Sequence, residues 1–577
     1  MESQIDMTTD EPSVSYVRYR VIFACMLMSV LLYLDRFCIS FAEIFIKDDL
    51  GLSDQQIGWV LSAFFFSYAL FQVPSGWLSD RFGARTMLTV YILMWSLFTA
   101  LTGFVTGFLM LLIFRLGFGI GQAGAYPTSA NLVSKWMPLS ERGFASSMVA
   151  VGGRFGGALA PLTTAFLIVM FVPISDSSQL QTGDLLQPQK FAQKFLERVQ
   201  KKDEYETQIY DQLNPGSKAY LETVAKQKKT ETGTAVEAEF LTNLNEILAK
   251  GDLFSPQSFA EVNLNKQAED LLTIQPSVQT DAEKSRLNRL LLESRYYTEI
   301  RKVQGRGWRP VMVVYGLVGL VMAGFFWWAV RDYPRAHPAC SEGELEKIEL
   351  GRAESDKDHS KKIGGVPLLA LMQNRSIWLL SFSQFCTNIG WVFLVTWLPR
   401  YLDETYHVPL EKRGTMMFVP IAVGWFGMLA GGRATDWLLK RISLRWSRAL
   451  PIVTSRFMAM GAYLLCLLDL SPWTTVVLFS VVAFSTDFGS APMWAFNQDI
   501  GGKHVGSVLG WGNMWGNFGA AVAPVLMIAV IGVDHNWNRA FVACALAFLA
   551  SGISAMWVDA SKPLLDESEE TVEVAPA

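Results

Sequence analysis

The chain has 577 residues, of which 51% are hydrophobic and 13% are aromatic, and its net charge is -4. An apolar content this high is difficult to hide in a soluble protein and is typical of a protein that crosses the membrane many times. The small negative charge argues against nucleic acid as a partner and against a polybasic membrane anchor. We therefore expect the lipid bilayer to surround most of the chain.

The first apolar run begins near Val21 and continues to about Ile46. It is too long for the hydrophobic core of a signal peptide, and no small-residue cleavage site follows it. The run therefore predicts a retained membrane-spanning helix.

Apolar windows of about 20 residues predict twelve membrane-spanning helices in all. Helices one to five lie in residues 20–172, helix six in 307–331 and helices seven to twelve in 376–558. The predicted spans are 20–46, 56–79, 87–106, 108–136, 144–172, 308–331, 376–402, 413–438, 448–469, 473–499, 506–531 and 538–558.

Lysine and arginine collect in the loops on one side of the predicted membrane, whereas the loops on the other side are short or acidic. The basic residues are Arg81, Arg85, Lys135, Arg142, Arg331, Arg335, Lys361, Lys362, Lys440, Arg441, Arg445 and Arg448. By the positive-inside rule, the tails (1–19 and 559–577) and the loop between the halves (332–375) are cytoplasmic. The sequence therefore predicts a multi-pass protein of the inner (cytoplasmic) membrane.

A polar segment at 173–306 separates predicted helices five and six and is therefore extracytoplasmic. Helical periodicity is present in Phe191–Val199 and again around Leu287–Leu292, and the segment has no cysteine. The pattern is compatible with a solvated helical hairpin or a partly disordered insertion. The alternative is a module that caps the pore or binds an extracytoplasmic partner.

A ten-residue pattern follows the second predicted helix and returns in degraded form after the eighth. The first copy is Gly76–Arg85 and the second is Gly431–Arg441. Each copy has a small residue that allows two helices to approach, an acid at the helix end and basic residues after it. This internal repeat divides the chain into two halves.

The first copy resembles the signature loop of the major facilitator superfamily, and the resemblance covers nearly the whole chain except 173–306. It implies two six-helix bundles around a central cavity that opens to each side in turn. The expected fold class is thus an all-α polytopic membrane protein with twelve transmembrane helices in two six-helix bundles and a large extracytoplasmic helical insertion between helices five and six. The implied conformational gate consists of Gly76, Asp80, Arg81, Gly83, Arg85 and Asp436.

Three arginines, Arg36, Arg115 and Arg154, lie inside predicted spans. A charge at membrane depth costs roughly 2.5–3.5 kcal/mol on insertion scales, so it persists mainly where it faces a polar cavity or a partner. Several cations around one cavity favour an anionic substrate. Arg154 lies in a run of small residues, Gly152–Gly157, where a third arginine suits a dianionic substrate or balances the charge of Asp487.

Asp35 and Arg36 put adjacent opposite charges in the first span. Adjacent residues point about 100° apart on a helix, so the two side chains cannot both be satisfied by each other. We expect one of them to face the cavity. The alternative is a self-neutralising pair that braces neighbouring helices.

The fourth span contains Phe114–Pro127 and places Arg115 and Gln122 two turns apart on one face. Together with the Asp35–Arg36 pair, this run is similar to the anion:cation symporter branch of the superfamily. That branch includes bacterial hexuronate, galactonate and glucarate carriers, as well as sialin and vesicular glutamate carriers. Two further segments are typical of it, Trp327–Pro338 and Thr396–Pro399.

The resemblance implies that Arg36 and Arg115 hold the substrate carboxylate and that Tyr68 lines the cavity beside them. Arginine suits this role because its planar group forms paired N–H···O hydrogen bonds with a carboxylate. The alternative for Tyr68 is an ordinary aromatic residue at the edge of the cavity.

Gln122 occupies a position at which many members of the branch have a glutamate that gains and loses the coupling proton. Glutamine cannot titrate, so either another acid couples transport or transport is not proton-coupled. Asp35 and Asp487 are the candidate proton carriers, because both are acids within predicted spans. The alternative for Asp487 is a structural ion pair with a buried arginine such as Arg154 or Arg456.

The second half contributes amides and indoles. Gln384, Asn388 and Trp391 lie at i, i+4 and i+7 of the seventh span and hence on one face, while Trp494 and Asn513 lie in the tenth and eleventh. Such groups suit the hydroxyls and carbon chain of a polyhydroxylated ligand, and the resemblance implies that this region binds substrate hydroxyls. The alternative is hydrogen bonding between helices.

We therefore predict a secondary transporter for an organic anion, namely a sugar acid of the hexuronate, aldonate or aldarate type, with protons (H+) as the coupling ion. Exchange of organic anions or organophosphates is the alternative, although phosphate antiporters of this superfamily typically have a second arginine in span seven and residues 377–398 have none. A membrane substrate sensor is a more remote alternative. No metal-ligand spacing or nucleophile–base pair stands out, so we expect no enzyme, metal or cofactor.

Overall fold

The computed structural model describes residues 15–138, 142–226, 235–260, 262–349, 368–501, 505–561 and 564. Nearly all of these residues are helical, and the described part has one isolated β-bridge, between Leu185 and Ile300. Most of both predicted tails and part of the predicted cytoplasmic loop lie outside the described residues.

The helices follow one another as the apolar pattern predicts. The first half begins with α1 (Val17–Leu50), α2 (Asp54–Phe82), α3 (Ala84–Thr102), α4 (Phe108–Ala123), α5 (Ala125–Trp136) and α6 (Arg142–Met170). The insertion contributes α7 (Pro188–Gln200), α8 (Glu204–Gln212), α9 (Pro215–Lys226), α10 (Ala235–Lys250), α11 (Lys266–Leu272) and α12 (Asp281–Arg295). After α13 (Trp308–Ala329), which completes the first half, come the connecting helices α14 (Glu342–Glu349) and α15 (Leu368–Gln373). The second half consists of α16 (Arg375–Val392), α17 (Leu398–Tyr406), α18 (Leu410–Leu439), α19 (Leu444–Leu465), α20 (Pro472–Phe488), α21 (Ser490–Gly501), α22 (Val505–Ile531) and α23 (Trp537–Met556).

Eleven helical segments of the described chain are long and apolar enough to cross a membrane, and they coincide with eleven of the predicted spans. The remaining predicted span, 448–469, corresponds to α19, a helix of 22 residues that packs against α20 and α23. Its arginines, Arg445, Arg448 and Arg456, make it more polar than the others. The protein is an all-α polytopic membrane protein.

Glycines let helices approach closely within each half. A Cβ atom at Gly156 of α6 would lie 2.1 Å from the carbonyl oxygen of Val30 on α1. In the second half, a Cβ atom at Gly427 of α18 would lie 2.2 Å from the carbonyl oxygen of Phe484 on α20. Larger side chains at these positions would push the paired helices apart.

The two halves share one hydrophobic core at the end of the bundle that carries the insertion, here called the insertion end. This core combines Phe45 of α1 with Trp397, in the π-helical turn between α16 and α17. At the opposite end, one cluster contains Trp95 and other residues of the first half and of α14, and another contains Phe496 and other second-half residues. The structure is therefore a state in which the halves are closed against each other at the insertion end.

The insertion is a folded helical domain in its described part. Its six helices surround one core that includes Phe191, Phe195 and Leu291. Within it, Arg295 donates to both carboxylate oxygens of Glu206, at 3.0 and 2.6 Å. Burial, together with the charge of Glu206, raises the pKa of the Tyr296 phenol well above its ordinary value. The expectation of a solvated hairpin or a partly disordered segment is wrong for these residues, because periodicity revealed only two of the helices that complete this core.

The close packing of α1 and α6 is tested by Gly156→Val. Overpacking typically costs about 1–3 kcal/mol, so the purified variant should unfold at a lower temperature than the wild type. Gly324→Val on α13 is the matched control, because a Cβ atom there meets no atom within 4 Å. Equal unfolding temperatures for the wild type and Gly156→Val would contradict the packing described here.

Candidate functional site

Arg36 on α1 and Arg115 on α4 meet beside one aromatic ring. The guanidinium carbon of each lies 5.1 Å from the ring centre of Phe64 on α2. Arg36 also lies 4.7 Å from the ring centre of Tyr33 and 4.8 Å from that of Tyr68. The aromatic faces stabilise the two cations without neutralising them. The structure therefore brings together Arg36 and Arg115, to which the resemblance gives the substrate carboxylate, and Tyr68, which it places beside them.

Both arginines have unused hydrogen-bond donors. Nη2 of Arg36 and Nε of Arg115 are buried without an acceptor among the described residues, and neither side chain forms an ion pair with a described acid. Arg115 is only 5% exposed. Two adjacent buried cations without a counter-ion are costly, so the arrangement suits a ligand that supplies negative charge.

Gln122 holds Arg36 in place. Its Oε1 accepts a hydrogen bond from Nε of Arg36 at 3.0 Å, and its Nε2 donates to the carbonyl oxygen of Leu32 at 2.9 Å. The side chain is fully buried. The hydrogen bond from Arg36 to Gln122 orients the guanidinium group. Because the amide is neutral, it does not compensate the positive charge of Arg36. Gln122 therefore links α4 to α1.

Asp35 points away from Arg36. It is 1% exposed, and neither of its carboxylate oxygens has a hydrogen-bond partner among the described residues. The two adjacent side chains form no ion pair with each other, which agrees with the geometric argument for a helix. Asp35 thus lies in the packed interior while Arg36 reaches the aromatic group.

Arg154 of α6 forms an ion pair with Asp487 of α20, so the pair connects the two halves. The side chain of Asp487 is 3% exposed and that of Arg154 is 21% exposed. The guanidinium carbon of Arg154 also lies 5.2 Å from the ring centre of Trp391. The structure thus has the ion pair named above as the alternative for Asp487.

The polar residues of the second half mainly contact other helices in this state. Nδ2 of Asn388 would lie 2.9 Å from a Cβ atom at Gly516, which places it at the contact of α16 with α22. Gln384 packs near the same glycine. Asn513 of α22 donates to Oε1 of Gln72 on α2 at 3.1 Å, a bond between the halves. Gln72 was not a predicted site residue, although the same face of α2 carries Tyr68 one turn earlier.

Trp391 is half-buried and Trp494 is 47% exposed. Trp391 lies beside Arg154. The predicted polar face of α16 is thus divided: Gln384 and Asn388 lie toward α22, and Trp391 lies toward Arg154 of α6.

Asp332, which is not among the predicted gate residues, contacts two of them. Asp332, just beyond α13, accepts a hydrogen bond from the backbone N–H of Arg85 at 2.9 Å. Gly83 has φ of +88°, and a Cβ atom there would lie 2.8 Å from Asp332. A glycine is required at this turn for both reasons. Asp332 belongs to the Trp327–Pro338 segment, and the resemblance of that segment to the symporter branch was the feature of the sequence that could have indicated it.

The other residues of the predicted gate lie at separate positions. Arg85 donates to the carbonyl oxygen of Trp327 at 2.7 Å, and Gly76 lies near Pro127 of α5. Arg81 and Asp436 are exposed. The side chain of Asp80 lies outside the described residues.

A buried arginine joins the halves at the insertion end. Arg400, at 3% exposure, forms ion pairs with Glu404 at 2.6 Å, with Asp54 at 2.5 Å and with Glu43 of α1 at 3.4 Å. The hydrogen bond from His535 to Glu404 raises the pKa of this histidine. The sequence prediction did not include this network, although Glu43 lies inside the first predicted span and Arg400 inside the seventh.

The sequence profile of the Major Facilitator Superfamily matches residues 25–173 and 303–524. The chain belongs to this superfamily. It is therefore a transporter rather than an enzyme, and the resemblance of the Gly76–Arg85 loop is confirmed. The insertion lies between the two matched ranges.

Three relatives resemble the chain along most of its length. The probable sulfoacetate transporter SauU of Cupriavidus necator is 23% identical and covers 95% of this chain and 94% of its own. The probable galactarate/D-glucarate transporter GarP of Escherichia coli is 24% identical, with 94% and 95% covered. The hexuronate transporter of Bacillus subtilis is 22% identical, with 92% of each chain covered.

Solved structures have the same fold. A bacterial homolog of the human lysosomal transporter Spinster has a TM-score of 0.53 and 16% identity, with 95% of both chains covered. The D-xylose–proton symporter has a TM-score of 0.53 and 13% identity, with 94% of this chain and 98% of the symporter covered. At these identities the likeness establishes the fold alone.

The role of Gln122 is tested by Gln122→Glu. A carboxylate at Oε1 would neutralise Arg36, so anion affinity should fall and become dependent on pH, improving as the pH is lowered and the new acid takes up a proton. Titration of the purified variant with D-glucarate at several pH values measures this. Gln72→Glu is the control, because Gln72 contacts Asn513 rather than an arginine. A pH-independent affinity equal to that of the wild type would contradict the assigned role.

Proposed function

We propose that the protein moves a sugar acid across the cytoplasmic membrane by alternating access, with both termini on the cytoplasmic side. The observation that carries the proposal is that Arg36 and Arg115 both lie against the ring of Phe64, and that buried donors of each, Nη2 and Nε respectively, have no acceptor among the described residues. Their unused donors suit one carboxylate, which can accept from both. The names of the relatives, which include galactarate/D-glucarate and hexuronate transporters, support the same substrate class.

The remainder of the site accounts for the sugar part of the proposed substrate. Gln384, Asn388 and Asn513 supply amides, and Trp391 supplies an apolar face. In the present state these amides contact neighbouring helices, so we propose that they turn toward the substrate when the second half moves. Trp494 and Tyr68 complete the proposed lining.

We propose proton symport as the coupling. Asp35 and Asp487 are the proposed carriers, because a buried carboxylate at membrane depth is easier to keep in its neutral form. If two protons accompany one monoanion, a potential of about 100 mV supplies about 2.3 kcal/mol, or roughly 50-fold accumulation. The inability of Gln122 to titrate favours the second candidate, exchange of organic anions without proton coupling.

Uptake into proteoliposomes tests the function. Labelled D-glucarate, galactonate and glucuronate are offered with an inward proton gradient, an imposed potential or neither, and uptake of at least one of them should follow the proton gradient. Uptake that requires preloaded anion and ignores pH would overturn symport in favour of exchange. Absence of transport of all three acids would overturn the sugar-acid proposal itself.

The carboxylate site is tested in the same vesicles with Arg36→Gln and Arg115→Gln. Hydrogen bonds to charged groups contribute about 1.5–3 kcal/mol, so each variant should weaken the apparent affinity by roughly 10- to 150-fold. Arg335→Gln is the control, because its ion pair with Glu349 is at the surface, where Arg335 is 73% exposed. Unchanged affinity in both variants would contradict the assignment.

A further inference from the structure

Arg456 on α19 is a buried cation in the second half that the site described above does not use. It is 2% exposed, and its Nε and Nη1 have no hydrogen-bond partner among the described residues. A Cβ atom at Gly489, two residues after Asp487, would lie 3.0 Å from Nη1 of Arg456, which places this guanidinium beside the end of α20. Asp487 is nevertheless ion-paired with Arg154 rather than with Arg456. A charge at this depth is retained mainly where it meets an opposite charge in some state of the protein.

The charges of two arginines that belong to different halves act on Asp487. Arg154 comes from α6 of the first half and Arg456 from α19 of the second. A Cβ atom at Gly424 of α18 would lie 2.5 Å from Oδ2 of Asp487, so that side of the carboxylate is filled. Among the described residues, the charged groups that act on Asp487 are Arg154 of α6 and Arg456 of α19.

Arg154 is the partner that a ligand can reach. Its side chain is 21% exposed and stands beside Trp391, whereas that of Asp487 is 3% exposed. An anion that binds Arg154 would therefore take it from Asp487. If no second cation were present, this exchange would leave a buried carboxylate unpaired, which is strongly unfavourable.

We infer that Arg456 is the alternate partner of Asp487, and that a second anionic group of the substrate takes Arg154 while Asp487 pairs with Arg456. This inference rests on the proposed function and deepens it, since it makes Arg154 the site that selects dianionic sugar acids over monoanionic ones. Arg456 is a positioning residue, because it acts through Asp487. The exchange also breaks the ion pair between the halves, so binding of a dianion favours their separation at this point.

Arg456→Gln tests the inference by calorimetric titration with D-glucarate, a dianion, and D-glucuronate, a monoanion. Without Arg456, Asp487 keeps Arg154, so the affinity for glucarate should fall by roughly 3- to 30-fold while that for glucuronate is unchanged. Adding Asp487→Asn to Arg456→Gln frees Arg154 and should restore glucarate binding. Arg448→Gln is the matched control, because this α19 arginine pairs with Asp499 in its own half at 2.7 Å.

The titrations distinguish failure of the proposed function from failure of the inference about Arg456. If the wild type binds neither acid, the proposed function fails. If the wild type binds both acids and Arg456→Gln weakens them equally, or if Asp487→Asn does not rescue glucarate binding, the inference about Arg456 is overturned. Glucuronate binding shows whether the single variant is folded, and the rescue distinguishes an electrostatic role from simple packing.

A second, independent observation concerns the insertion, which contacts both halves at the insertion end. Toward the first half, Nη2 of Arg301 donates to the carbonyl oxygen of Asp48 at 3.0 Å. Toward the second half, Lys302 pairs with Asp403 at 3.0 Å, and Tyr297 donates to the same carboxylate. Asn263 also donates to the carbonyl oxygen of Tyr406 at 3.0 Å.

We propose that the insertion is a brace that holds the insertion end closed. It is continuous with α6 and α13 of the first half, so its contacts with Asp403 and Tyr406 must break when the second half moves away. The family match stops at residue 173 and resumes at residue 303, so the brace lies outside the matched ranges. The brace also rests on the proposed alternating access, because it shifts the balance between the two states.

Lys302→Gln tests the brace without stranding an acid, because Asp403 keeps its ion pair with Arg413 at 2.5 Å. Spin labels at exposed positions of the two halves, Phe104→Cys and Leu468→Cys in a Cys340→Ser background, report the separation at this end. The variant should show a larger population at the long distance, by roughly 2- to 5-fold. Lys194→Gln is the control, because its partner Glu299 is within the insertion, at 2.7 Å.

An unchanged distance distribution in Lys302→Gln, or an equal shift in Lys194→Gln, would overturn the brace. This outcome is independent of substrate identity, since the distances are measured without ligand.

Discussion

Positive charge buried without a counter-ion is the constraint on which the rest of this structure depends. Arg36 and Arg115 lie beside Phe64 with donors that no described residue satisfies. Such a pair is tolerated only if the surrounding groups orient it and if a ligand neutralises it during function. Gln122 accepts a hydrogen bond from Arg36 and adds no charge of its own.

The cost of burying an unpaired charge also explains the ion pairs between the halves. Arg154 with Asp487 at mid-bundle and Arg400 with Glu43 and Asp54 at the insertion end are opposite charges supplied by different halves. A pair of this kind is stable only while the halves are together, so its geometry is tied to one conformational state. Close helix contacts at glycines such as Gly156 pack the helices of each half tightly against one another.

The sequence was sufficient for features that depend on local pattern. Apolar length predicted the spans, and the spacing of Arg115 and Gln122 on one helix face, together with the family resemblance, predicted their meeting with Arg36. The pairing of Asp487 could only be given as alternatives, because it depends on how α6 packs against the second half. Arg400 and Asp332 were missed for the same reason: each is adjacent in space to groups far away in the chain.

The insertion was the least predictable part. Some of its helices are short, such as α8 with 9 residues and α11 with 7, and hydrophobic periodicity marks only α7 and α12 in the sequence. The core forms only when all six helices meet around Leu291 and its neighbours. Its contacts with Asp403 and Tyr406 likewise depend on the folded domain and not on any motif.

Equilibrium binding of a sugar acid compared with its uncharged sugar alcohol tests the central claim most directly. Calorimetric titration of the purified protein with D-glucarate and with D-glucitol isolates the contribution of the carboxylates, since the carbon chain and hydroxyls are similar. The account predicts saturable binding of glucarate, with glucitol at least about 10-fold weaker, as expected for losing a charge-assisted hydrogen bond. Equal binding of the two compounds would contradict the view that Arg36 and Arg115 form an anion site.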